Sequence, residues 1–180
     1  MKQFFSRTYV VMIAMFTLAV SCKKDDGTSG GTGTGATVTC RYGFDGNAGT
    51  DFKSTQAGIV QTTVAGITTF GISAIRDGGK EAITITLLKK VTATGKIQFG
   101  PSASNGGIVI TKDYTKPADG SLNYSSDNRG ASGTAMTAGG EVVITKLDGN
   151  YVEGTFYVLC YNSNGKEAFA EQGQFKGTIN

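Results

Sequence analysis

From residue 36 onward the chain alternates between apolar and polar positions. ATVTCRYGF places Val38, Cys40, Tyr42 and Phe44 on one side and Thr37, Thr39 and Arg41 on the other. ITTFGISAI groups Phe70, Ile72 and Ala74, and AITITLL sets Ile83, Ile85 and Leu87 opposite Thr84 and Thr86. KIQFG, IVITKDY, EVVITKL and YVEGTFYVLCY continue the habit. A period of two in β-branched and aromatic residues predicts half-buried strands. The punctuation agrees: Ala65-Gly66, Asp77-Gly78, Asp148-Gly149 and Asn164-Gly165 separate these runs. Such pairs supply the positive φ angles of tight hairpins. Many short strands and no helical period predict an all-β fold, either an antiparallel β-sandwich or a small barrel-like fold.

The first 35 residues follow another rule. Lys2 and Arg7 precede a continuous apolar run, Tyr9 to Val20, which ends at the small residue Ser21. Positive, apolar, small is the order of a secretory signal. A dozen apolar residues fall short of the ~20 that a spanning helix needs. We therefore divide the chain into a signal peptide (1–21), a tether (22–35) and one all-β domain (36–180). The tether opens with KKDD, residues 23–26, and continues as GTSGGTGTG, a composition typical of flexible linkers. GTGTGA fits the spacing of a dinucleotide-binding turn, but a strand must precede that motif and a helix must follow it.

Composition narrows the chemistry. There is no His and no Trp. The missing His removes Ser-His-Asp and Cys-His nucleophiles and all His metal sites. Without residues 1–21 the chain carries 15 basic against 14 acidic residues. No basic stripe marks a nucleic-acid surface.

Two resemblances sharpen the picture. LAVSC, ending at Cys22, resembles the lipobox of bacterial lipoproteins, with Leu18 one place earlier than the usual pattern. The resemblance implies acylation of Cys22 and membrane attachment, which is stable once two or more chains are present. KKDD resembles the export tag of surface-exposed lipoproteins of Bacteroidota. Residues 141–178 are similar to the C-terminal half of an uncharacterised Bacteroidota lipoprotein domain family. The shared features are a strand ending in ITKLDG, a V-x-G-T-F strand (Val152 to Phe156), an Asn-Gly hairpin at Asn164-Gly165 and a final G-x-F strand, Gly173 to Phe175. These are turn and core features, so the resemblance implies fold and an outer-membrane address rather than an activity.

Few residues stand out as site candidates. In an oxidising envelope compartment Cys40 and Cys160 are expected to form a disulfide, with two separate buried thiols as the alternative. Tyr151, Tyr157 and Tyr161 share one strand face, where Tyr could stack on sugar rings. Asp45-Gly46-Asn47 with Asp51 is oxygen-rich, but it reads as an ordinary turn rather than a Ca²⁺ loop. No catalytic residue, metal set or cofactor is indicated. The leading expectation is a membrane-anchored, non-catalytic binding module for a glycan or protein. The alternatives are a carboxylate-dependent glycoside hydrolase, which needs two acids about 5 to 9.5 Å apart, and a lipocalin-like small-ligand carrier, which needs a hollow barrel.

Overall fold

A computed structural model of the chain describes residues 35–131 and 136–180. The signal segment, Cys22, KKDD and the tether up to residue 34 lie outside the described residues. Ten strands follow: β1 (Ala36–Phe44), β2 (Thr50–Val64), β3 (Ile67–Ile75), β4 (Ala82–Leu87), β5 (Gly95–Phe99), β6 (Gly106–Thr111), β7 (Asn123–Ser125), β8 (Gly139–Asp148), β9 (Tyr151–Tyr161) and β10 (Glu167–Thr178). The described residues contain no helix.

The fold is a closed antiparallel barrel. Around the ring the order is β10, β1, β2, β3, β4, β6, β7 and β9, and β9 pairs back onto β10. The closing contact is slight, a single pair of Ser125 with Tyr161. Along the rest of that edge β9 pairs instead with β8, and β8 with β5, so these two strands extend the sheet beyond the ring.

Alternation places the core. Val38, Cys40, Phe52, Ile59, Phe70, Ile72, Ile83, Ile85, Ile108, Ile110, Phe156, Val158 and Phe175 point inward and form one contiguous cluster. An eight-stranded ring is just wide enough for side chains to fill, and these do. One rim is closed by aromatic rings. Tyr42 meets Phe44 and Phe52 edge-on, each with ring centroids 5.6 Å apart. Phe44 lies 5.2 Å from Tyr124. Lys112 sits over both Phe44 and Tyr124 and bonds Asp45 at 2.7 Å. Beside it Arg76 grips Glu81 with two hydrogen bonds of 2.9 and 3.1 Å. A hollow, open-mouthed barrel is therefore not what these residues form.

Within the filled interior one polar group stands out. Ser54 is fully buried and paired in register with Val38, and its hydroxyl reaches no partner among the described residues. Burying an unpaired hydroxyl costs about 1–3 kcal/mol. Ser54→Ala is therefore expected to raise the unfolding free energy by about 1 kcal/mol. Urea denaturation measures it, and a loss of stability would show that the hydroxyl is satisfied.

The expected disulfide is corrected. Cys40 and Cys160 are both buried free thiols. The strand order explains why. β10 lies between β1 and β9, so the two cysteines sit two strands apart, about 10 Å. A bridge needs Cα atoms within about 7 Å. They are also offset along the strands: Cys160 pairs with Ala168, whereas Thr39 and Arg41, the neighbours of Cys40, pair with Gln174 and Glu171. Instead, the Cys160 thiol donates to the Ile108 carbonyl at 3.5 Å. Both behave as small apolar residues.

Candidate functional site

The sequence motifs and the surface are linked through two strands. In β9 and β10 the register pairs Phe156 with Gly173 and Gly154 with Phe175. Each Phe lies over the glycine of the other strand. A Cβ on Gly173 would fall 2.6 Å from the Phe156 ring, and one on Gly154 would fall against the Phe175 ring. Thus V-x-G-T-F and G-x-F are two halves of one interlocked core element. The residues between them must point outward, and Thr155 pairs there with Gln174.

That outward pair belongs to a lattice on the external face of β5, β8, β9 and β10. One row runs Lys96, Val143, Thr155, Gln174. The next runs Gln98, Glu141, Tyr157 and is continued by Gln172. Four strands make the lattice about 14 Å wide. Glu141, Val143, Thr155, Phe156, Tyr157 and residues 172–174 line a shallow groove of about 260 Å³. Tyr157 is 52% exposed. Glu141 accepts from the Gln98 amide and lies 3.7 Å from the Lys96 ammonium. Gln172 sits at a β-bulge between Ala170 and Gly173 with a φ of 54°. A left-handed backbone on a residue other than Gly is strained, and bulges re-aim side chains.

Of the predicted tyrosine row, only Tyr157 belongs to this groove. Tyr151 is half-buried near the β8–β9 turn, with Lys146 5.2 Å from its ring centroid. Tyr161 is fully buried, and its hydroxyl donates to the Met136 carbonyl at 2.9 Å. The row is therefore corrected to a single exposed ring. The segment that follows β7 covers the end of β9: beyond the in-sheet pair of Ser125 with Tyr161, the Asn128 amide donates to the Tyr161 carbonyl at 2.7 Å. The groove's partners for Tyr157 are Glu141, Gln98, Gln172 and Gln174, which sequence reasoning missed. Their outward phase in the alternation was the available signal.

The remaining candidates resolve as structure. Asp45 has a φ of 55° in the β1–β2 turn and is paired with Lys112, while Asp51 lies opposite Arg41 on β2. Among the described residues no three or more Cys, Asp or Glu side chains gather as a metal cluster would. The groove itself holds one carboxylate, Glu141.

No family model, curated protein or solved structure matches the chain.

Proposed function

We propose that this chain is a cell-envelope lipoprotein, anchored through Cys22 at the outer membrane, whose barrel binds a glycan on its outer face. Residues 141–178 support grouping it with the uncharacterised Bacteroidota lipoprotein domains, and KKDD supports exposure at the cell surface. The observation that carries the binding reading is the groove around Tyr157. An exposed ring offers an apolar face for a sugar ring. Glu141 and the amides of Gln98, Gln172 and Gln174 offer donors and acceptors for hydroxyls. A filled core favours this reading over a carrier. A groove with one carboxylate favours it over a hydrolase, which works with a pair.

The test is glycan-array screening of the full chain, followed by titration calorimetry of any glycan retained. Tyr157→Ala is expected to weaken binding at least about tenfold and to leave the melting temperature unchanged, because the ring packs on the surface. Retention of no glycan, or equal affinity in the variant, defeats the reading.

A further inference from the structure

The hairpin of β2 and β3 overhangs the barrel. Its flanking strands stop early. β4 ends where Leu87 pairs with Phe70. On the other side Ala36 pairs with Ala57, and Asn180 bonds Ile59 and Gln61. Two further residue pairs, Thr63 with Thr68 and Val64 with Ile67, project beyond them, about 7 Å.

The tip is apolar where a hairpin in water is polar. Val64 is 64% and Ile67 61% exposed. Between them Ala65 and Gly66 have φ values of 51° and 81°, the signature of a type I′ turn. That turn favours Asn or Asp at its first central place, and placing Ala there costs about 1–2 kcal/mol. The chain's other Gly turns use a polar partner, as in Asp45-Gly46, Asp77-Gly78, Asp148-Gly149 and Asn164-Gly165. Apolar character at this one tip is thus kept at a cost in strain.

Its surroundings are basic. Leu88, 45% exposed, continues β4 level with Thr69, and the exposed Lys89 and Lys90 follow. The Val91 amide is tied to the Gln61 side chain at 2.8 Å, which holds this segment against the hairpin. Residues 54–75 and 82–95 contain Lys89 and Lys90 and no other charged residue.

The same rim receives the N-terminal chain. Ala36, the first residue of β1, lies there, and so does the β8–β9 turn, whose Asn150 bonds Ile179. Thirteen residues separate Cys22 from Ala36, and a flexible, Gly-rich chain of that length has an end-to-end distance of about 20 Å.

We propose that the Val64–Ile67 tip, with Leu88 and the Lys89–Lys90 pair beside it, is a membrane-contact surface that enters the headgroup region of a phospholipid bilayer. The proposal rests on the lipoprotein reading of Cys22. Acylation would bring this rim to the bilayer, the overhang matches the ~5–10 Å depth of interfacial apolar groups, and the lysines meet anionic headgroups. The opposite rim, closed by aromatic rings and ion pairs, and the groove around Tyr157 then remain available to the outside.

The absence of Trp allows a clean test. Val64→Trp and, on the opposite rim, Tyr114→Trp are made in the full acylated chain and placed on phosphatidylethanolamine/phosphatidylglycerol vesicles. The Val64→Trp emission is expected to shift to the blue and to be quenched by brominated acyl chains, while Tyr114→Trp stays water-like. In a Cys22→Ser background, Lys89→Glu with Lys90→Glu is expected to weaken vesicle binding at least about tenfold. Water-like emission from both reporters overturns the proposal, as does burial of Val64→Trp only in intact envelopes, which would indicate a protein partner. Lack of lipid on Cys22 sinks the anchor reading alone, since tip quenching is read separately.

Discussion

Phe175→Ala is expected to lower the unfolding free energy by about 3–5 kcal/mol, the range for truncating a buried Phe. Gly154→Ala, a change of one methyl group, is expected to cost about 1–3 kcal/mol. Both follow from the interlock of β9 and β10. Phe175 is 2% exposed and lies over Gly154, so the glycine leaves the space that the ring fills. An added Cβ meets the ring on one side and the Val143 carbonyl oxygen at 2.5 Å on the other. The ring can be removed, but the carbonyl cannot retreat without breaking the β8–β9 ladder. The double variant should therefore lose less than the sum of the two single changes, yet more than Phe175→Ala alone. Urea titrations of the four proteins measure this coupling. Strict additivity, or a neutral Gly154→Ala, would show that the two residues do not share that space. The groove should respond as well, because Thr155 and Gln174 point outward only while their neighbours interlock inward.

The strands and the turns were legible because both are local. Alternation in ATVTCRYGF or AITITLL states which side chains share a face, and a Gly with φ above zero marks where the chain reverses. Pairing partners are not local. β5 is followed in sequence by β6 yet pairs with β8, and β10 separates β1 from β9. Neither fact leaves a trace in the period of either strand, so the disulfide expectation failed on strand order rather than on facing. Ring closure rests on the three-residue strand β7 and one residue pair, too little to announce itself in composition. The tyrosine row failed for a related reason. Tyr157 and Tyr161 have the same phase on β9, and only the segment packed outside Tyr161 distinguishes them. The groove was half legible: Tyr157 stood out as an aromatic at an outward position. Its glutamine partners did not, since Gln neither titrates nor forms a short motif. The bulge that sets Gln172 arises from the mismatch between β10 and its neighbours.

Raising the pH from about 8.5 to 10 is expected to destabilise the barrel by about 3 kcal/mol in all, the slope for each of two buried thiols rising towards about 1.4 kcal/mol per pH unit. Burial, with a contribution from the Asp51 carboxylate, pushes the Cys40 thiol up to about 12. Cys160 is raised as well, first by burial and then by Asp127. In the unfolded chain both return to the ordinary value of about 8.5. Below that pH both states hold their protons and the thiols leave stability unchanged. Above it the unfolded chain releases them and the folded barrel does not, so unfolding gains a free-energy term that grows with pH. For Cys40 the loss continues until pH passes through about 12. Tyr42, also pushed to about 12 by burial and the neighbouring Glu81, adds to the decline only above about 10. That makes pH 8.5 to 10 the informative window. Urea midpoints across it, for the wild type and for Cys40→Ala with Cys160→Ala, isolate the thiol contribution. The double variant should give a nearly flat profile, and each single variant should halve the slope. A disulfide has no proton to release. A flat wild-type profile, with neither Cys40 nor Cys160 labelled by a thiol reagent after denaturation, would mean that the two are bridged and that β1 and β9 approach more closely than their places on either side of β10 allow.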